Sequence, residues 1–200
     1  MRANKRLNYS LSVAMLVIAV GSACAQVKSP SPNSSQVEPP AGIPPQKSVG
    51  KATAYYTKSL DAMEVAADSW VVGTYTGRFT NDQLLMTAYF KTPGRTLTRP
   101  KSMHFVFTSH SRGVKYGTDH KLTILVDGRE FASGETRITH SECRPSVPCE
   151  EVMKSPELPY DSFLRIINAK VVEMRLGSTA FDLKSESIEA LRDMNRIIEP

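Results

Sequence analysis

Thiol chemistry is available in the stretch Cys-Arg-Pro-Ser-Val-Pro-Cys, which runs from Cys143 to Cys149. In an oxidising compartment this pair predicts a local disulfide, because Pro145 and Pro148 bend the chain back so that the sulfur atoms can meet. The loop is short, so the cross-link stabilises by no more than about 2–3 kcal/mol and mainly shapes one surface loop. Two alternatives stay open. A metal site that adds His140 lacks a fourth ligand and the tight Cys-x2-Cys spacing, and a redox pair has the wrong spacing.

Hydrolysis would require a serine hydroxyl within hydrogen-bond reach of an imidazole that a carboxylate orients. Ser109 and His110 are neighbours on a predicted strand, where adjacent side chains point to opposite faces, so they do not form that pair. The chain also lacks a Gly-x-Ser-x-Gly elbow, a glycine-rich phosphate loop and a calcium-loop pattern of acids. We therefore assign no catalytic residue, no metal and no cofactor. The side chains considered are His104, His110, His120, His140, Glu142, Glu150 and Glu151.

Six basic residues lie in two predicted loops, and the first of these loops contains no acidic residue. If both loops emerge at the same end of the sheet, they form a basic edge that favours an anionic envelope partner, such as lipid headgroups or polysaccharide. The alternative, that these are ordinary solvated charges, stays open. The predicted anion-binding edge consists of Lys91, Arg95, Arg99, Lys101, Arg112 and Lys115.

The elements that must position these side chains are mainly strands, because the apolar residues from Trp70 onward recur with period two. Alternate residues from Leu84 to Phe90 and from Met103 to Phe107 are apolar. The intervening residues of the first strand are also fairly apolar, which predicts a strand covered on both faces. Asp127-Gly128 predicts a type I′ turn that pairs Ile124 with Phe131, and residues 51–69 fit either a helix or strands.

The C-terminal third predicts a helix from Tyr160 to Ala169, followed by a hairpin that turns at Gly177-Ser178. A second helix from about Glu186, with Ser185 as its cap, ends the chain. We therefore predict an α+β fold, a mainly antiparallel β-sheet or sandwich with a C-terminal helix-hairpin-helix.

The segment from Phe163 to Met194, Phe-Leu-Arg-Ile-Ile-Asn-Ala-Lys-Val-Val-Glu-Met-Arg-Leu-Gly and onward through Ala-Phe-Asp-Leu to Glu-Ala-Leu-Arg-Asp-Met, resembles a pattern in small exported bacterial proteins of unknown function. The likeness covers about the last 40 residues. It implies a compact secreted domain and transfers no activity and no functional residue.

Residues 1–25 predict a signal peptide, since three bases precede an apolar run of about ten residues, half the length of a membrane span. Ala23-x-Ala25 favours cleavage that frees Gln26. Alternatively, Gly21-Ser22-Ala23-Cys24 is similar to the lipobox of bacterial lipoproteins, in which Cys24 would be lipidated.

Residues 26–50 hold six of the 13 prolines and predict a disordered leader, which leaves residues 51–200 as a single globular domain. Without the three signal-peptide bases, 22 bases face 20 acids. The resulting charge of +2 is no footprint for nucleic acid.

These features predict an exported protein of the periplasm or the extracellular space that touches the membrane only through a lipid anchor on Cys24. The leading hypothesis is a non-enzymatic module that binds an anionic envelope component or another envelope protein. The alternative is a secreted hydrolase or metal-dependent enzyme that uses the histidine and cysteine loops.

Overall fold

The computed structural model describes residues 46–77 and 80–199, which form two antiparallel sheets and two α-helices. The larger sheet contains β1 Lys47–Val49, β2 Ala52–Thr57, β3 Ala62–Ala67, β4 Trp70–Gly77, β5 Thr80–Pro93, β6 Ser102–Ser111, β9 Arg137–Glu142, β10 Cys149–Lys154 and β11 Leu158–Pro159. The smaller sheet contains β7 Lys121–Val126, β8 Arg129–Glu135, β12 Val172–Leu176 and β13 Thr179–Asp182. The helices are α1 Tyr160–Asn168 and α2 Ser185–Ile198.

The larger sheet has the strand order β1-β2-β3-β5-β6-β10-β9. β5 has 14 residues, so one of its edges pairs with both β4 and β3 in turn, while its other edge pairs with β6. Residues 51–69, which the sequence left undecided, form β2, a 3₁₀ turn at Lys58–Leu60 and β3. The sheet begins with β1, whose residues the sequence prediction had counted with the leader.

One face of the larger sheet, the inner face, is buried along β2, β3, β5, β6 and β10. On β6 every second residue from Met103 is buried, and the same alternation from Leu84 to Phe90 confirms the period-two prediction for β5. α2 packs on β1, β2 and β3, and the smaller sheet packs farther along, where the ring of Phe107 lies 6.2 Å from that of Phe181. The inner face therefore holds the core.

The opposite face of the larger sheet, the open face, stays in contact with solvent. The side chains that alternate with the core residues of β5, Leu85, Thr87 and Tyr89, are partly exposed. The prediction that this strand is covered on both faces is therefore wrong. Their apolar character reflects contacts between neighbouring side chains on the pleated surface rather than a second covering layer.

The β7–β8 hairpin turns as predicted but pairs differently. Asp127 and Gly128 have φ values of 51° and 78°, as a type I′ turn requires, so the turn is confirmed. A bulge between Ile124 and Leu125 shifts the register, and Ile124 faces Ala132 rather than Phe131. Phe131 is instead partly exposed, with the Arg165 guanidinium 4.5 Å from its ring centroid.

The β12–β13 hairpin pairs Met174 with Phe181, as the sequence predicts. Its turn requires glycine for two reasons. Gly177 has φ 55°, and a Cβ atom there would lie 2.4 Å from the Asp119 carbonyl oxygen.

The helices form where predicted. α2 begins at Ser185, so the capping position belongs to Lys184 and the prediction of Ser185 as the cap is wrong. Ile188, Leu191, Met194 and Ile197 are buried along one face of α2. Within the described ranges, neither helix is long and apolar enough to cross a membrane.

Candidate functional site

The two cysteines connect the ends of β9 and β10. The Sγ atoms of Cys143 and Cys149 are 1.96 Å apart, which is the distance of a disulfide bond, as predicted. Cys143 is exposed and Cys149 is buried. Because each sulfur atom is bonded to the other, neither is a thiolate that could bind a metal together with His140.

A row of polar side chains crosses the open face beside this loop. Gln83 on β5 pairs with His110 on β6, which pairs with Glu150 on β10, which pairs with Glu142 on β9. The disulfide loop rises next to the row and leaves a recess made of two adjoining hollows, of about 450 Å³ and 420 Å³. We call it the disulfide recess, and its lining includes His110, Arg112, His140, Glu142, Arg144, Val147, Pro148 and Glu150.

Ion pairs hold the side chains of the recess. Arg144 donates two hydrogen bonds to Glu142, from Nε to Oε1 at 2.7 Å and from Nη2 to Oε2 at 2.9 Å. These hydrogen bonds lower the pKa of Glu142 and raise the pKa of Arg144. His140 Nε2 lies 3.7 Å from Glu142 Oε2, and His110 Nδ1 lies 3.9 Å from Glu150 Oε2. The recess thus presents acids and bases together.

Ser109 and His110 do not form a nucleophile–base pair. Ser109 is 2% exposed on the inner face of β6, whereas His110 lies on the open face. The hydroxyl of Ser111 donates to the Gly113 carbonyl at 2.7 Å. Among the described residues, no group of three or more His, Cys, Asp and Glu side chains is arranged to hold a metal ion.

The predicted basic edge does not form, because β5 and β6 are antiparallel. The loop that joins them lies at one end of the hairpin, and the loop after β6 lies at the other end. A ten-residue strand is about 33 Å long, so Arg99 and Arg112 belong to opposite ends of the sheet. The two loops would lie at the same edge of the sheet only if both followed, or both preceded, strands that run in the same direction.

Several of the six bases have partners within the fold. Lys91 Nζ lies 3.0 Å from Glu64 Oε2, and Arg99 Nη2 lies 2.8 Å from Asp161 Oδ1. The Arg95 guanidinium lies 5.4 Å from the centroid of the Tyr56 ring, and Lys115 Nζ lies 5.8 Å from that of the Tyr116 ring. The Lys101 carbonyl accepts a hydrogen bond from the Tyr160 N–H. Arg112 lines the recess. Cys24, the predicted lipidation site, lies outside the described residues.

Glu151 positions the loop that carries Arg112, a role that the sequence analysis missed. Its carboxylate is 0% exposed on the inner face and accepts the backbone N–H groups of Lys115, at 2.6 Å, and Tyr116, at 3.1 Å. The buried hydroxyl of Tyr116 is 3.0 Å from Thr179 Oγ1 on the smaller sheet. The signal was present, because strict alternation with Cys149 places Glu151 on the inward side of β10.

The described chain is therefore a mostly antiparallel β-sheet protein with two helices and a disulfide-distance cysteine pair beside a polar recess. No protein-family model matches the chain, and no curated protein and no solved structure matches it either.

Proposed function

We propose that the protein is an exported, non-enzymatic binding module of the cell envelope whose partner occupies the disulfide recess. The observation that carries this proposal is the recess itself. Its two adjoining hollows, of about 450 Å³ and 420 Å³, each lie in the range of protein binding sites, which is roughly 300–1,000 Å³. The cross-linked loop that forms one wall is ordered before binding, which reduces the entropy lost on association.

The mixed charge of the recess favours a polypeptide partner, that is, another envelope protein. Glu142 and Glu150 would meet bases of the partner, whereas Arg112 and Arg144 would meet its acids. A polyanion would be repelled by the two carboxylates. Such complementarity contributes to specificity and to the association rate more than to affinity.

Export is the second part of the proposal and rests on the sequence alone. The signal peptide of residues 1–25, the proline-rich leader and the resemblance of the last 40 residues to small exported bacterial proteins support it. The intact mass of the exported protein tests it. A chain that begins at Cys24 with a diacylglyceryl group is a tethered lipoprotein, and one that begins at Gln26 is free in the periplasm or the medium. An unprocessed chain in the cytoplasm contradicts export.

We further propose that α1, the β12–β13 hairpin and α2 act as one helix-hairpin-helix unit that supports the sheet from its inner side. Two contacts between the helices favour this. Arg192 Nε donates to the Ile167 carbonyl at 3.0 Å, and the Tyr160 hydroxyl donates to Asn195 Oδ1 at 2.5 Å. The unit lies on the side opposite the recess and has a structural role.

The binding proposal is tested by sedimentation of the purified protein with an envelope fraction. Arg144→Glu reverses one charge of the recess at an exposed position, and we expect the bound fraction to fall at least tenfold. Arg175→Glu is the matched control, because Arg175 pairs with Glu173 at 2.7 Å in the same two-residue spacing on the smaller sheet. Equal loss in both variants, or no loss in either, contradicts binding at the recess.

A secreted hydrolase or metal-dependent enzyme is the second candidate, since two histidine–glutamate pairs line the same recess. Zinc bound in a 1:1 ratio to the purified protein, or a hydrolytic activity that His110→Ala abolishes, would favour this candidate over the binding module.

A further inference from the structure

Two cations face each other on the larger sheet without an intervening acid. Lys154 on β10 is directly opposite Arg137 on β9 in the antiparallel register. Within the described ranges, neither side chain forms a salt bridge. Like charges directly opposite each other destabilise a pair of strands, so the folded protein bears a cost here that binding of an anion would remove.

A third cation approaches from β5, around an aromatic ring. The Nζ atoms of Lys154 and Lys91 lie 5.3 Å and 5.5 Å from the centroid of the Tyr89 ring, within the distance of a cation–π interaction. The ring of His104 lies 5.5 Å from that of Tyr89. We call Arg137, Lys154, Lys91 and Tyr89 the Tyr89 cluster.

The acids near the Tyr89 cluster leave its facing cations unneutralised. Glu64 is engaged by Lys91 at 3.0 Å and by the Tyr55 hydroxyl at 2.9 Å. Glu157 is exposed and lies 3.9 Å from His104 Nε2. Burial is the main reason that the pKa of His104 is lowered, and the positive charge of Lys154 adds to it.

We propose that the Tyr89 cluster binds a phosphate group, at a site separate from the disulfide recess. The guanidinium of Arg137 offers the planar pair of donors that matches two phosphate oxygens, and Lys154, its partner in the register of β9 and β10, adds a second positive charge. Two facing cations match the two negative charges of a phosphate. The ring of Tyr89 holds both lysine side chains over the open face.

Binding of pyrophosphate, followed by amide chemical shifts, tests the site directly. We expect shifts at Tyr89, His104 and Lys154, and about tenfold weaker binding in each of Lys154→Gln and Arg137→Gln, since each removes one charge-assisted hydrogen bond. Lys184→Gln, an exposed lysine at the start of α2, is the control and binds as the wild type does. Unchanged affinity in the double variant overturns the proposal, as does equal binding of acetate.

A second variant gives a readout that a merely structural role would not produce. Lys154→Glu replaces the facing like charges with an ion pair, so we expect a higher midpoint of thermal unfolding together with loss of pyrophosphate binding. The pKa of His104 should rise in the same variant, because a negative charge then replaces the positive one. Loss of stability with retained binding contradicts the proposal.

The phosphate could belong to a free ligand or to a lipid headgroup, and vesicles distinguish the two. Flotation with phosphatidylglycerol vesicles but not with phosphatidylcholine vesicles, abolished by Lys154→Gln, assigns the site to a lipid headgroup. Pyrophosphate binding without flotation assigns it to a soluble phosphate ligand. If the protein shows no pyrophosphate binding and no flotation, the proposed phosphate site is overturned. Sedimentation of Arg144→Glu tests the disulfide recess independently.

Discussion

The two faces of the larger sheet belong to the same strands and differ in almost every other respect. The inner face is covered by α2 and the smaller sheet, and its side chains, such as Phe105 and Met86, are 0% exposed. The open face carries charges and rings in register, including the row at the disulfide recess and the Tyr89 cluster. Because side chains alternate along a strand, neighbours in the sequence belong to different environments.

This difference separates stability from binding. Burial of apolar area on the inner face supplies the free energy of folding, whereas the open face retains unfavourable features, such as the like charges of Lys154 and Arg137 on paired positions. Pairs of adjacent residues therefore offer matched tests, because one substitution affects the core and its neighbour does not.

The largest expected loss of stability comes from a substitution on β6. Phe107→Ala removes a fully buried ring and should lower the free energy of unfolding by about 3–5 kcal/mol in urea denaturation. Val106→Ala, one residue earlier on the open face, should cost less than about 1 kcal/mol. Similar losses in the two variants would show that the open face is covered after all.

The next largest loss of stability is expected for one of two neighbouring glutamates on β10. Glu151→Gln weakens the hydrogen bonds to the N–H groups of Lys115 and Tyr116 and should cost about 1.5–3 kcal/mol. Glu150→Gln changes a partly exposed side chain and should cost less than about 0.5 kcal/mol. Urea denaturation of both variants checks this, and a larger loss for Glu150→Gln contradicts the assignment of faces.

Removal of the disulfide should have a moderate effect. The double variant Cys143→Ser with Cys149→Ser releases a seven-residue loop and should lower the free energy of unfolding by about 2 kcal/mol. The recess should lose its wall, so sedimentation with the envelope fraction should fall while the rest of the amide spectrum is retained. Retained sedimentation would mean that the loop does not form the binding site.

The smallest effect is a pH dependence that originates on the open face. Burial lowers the pKa of His104 in the folded protein below its value in the unfolded chain, and Lys154 adds to this. The hydrogen bond to the Ser155 carbonyl and the charge of Glu157 oppose the shift. The unfolded chain therefore binds the proton more readily. The stability contribution is full above the unfolded pKa, near pH 6.5, and is lost as the pH falls through the folded pKa.

His104→Gln should accordingly flatten the decline of stability between pH 7 and pH 5, as measured by thermal unfolding at each pH. Lys154→Gln should flatten it in part, because one of the two causes is removed. A steeper decline in His104→Gln would contradict the lowered pKa.

The local features of the fold were predictable from the sequence because they depend on neighbouring residues. Alternation from Leu84 to Phe90, the turn at Asp127-Gly128, α1 and the bond between the cysteines follow from period, backbone preference and spacing. The sequence singles out six residues of the two candidate sites but does not predict which of them meet: His110, His140, Glu142, Glu150, Arg112 and Lys91.

Three features follow from a few consecutive residues and are therefore predictable without the fold: which residues alternate, where the chain turns and which two sulfur atoms meet. Which strand ends lie together, in contrast, depends on how the whole chain folds. The antiparallel order of β5 and β6 separated the predicted basic edge, and the register of β9 and β10 placed Arg137 opposite Lys154. Strand order and register depend on packing between distant segments, and a single bulge, as in β7–β8, is enough to change which side chains meet.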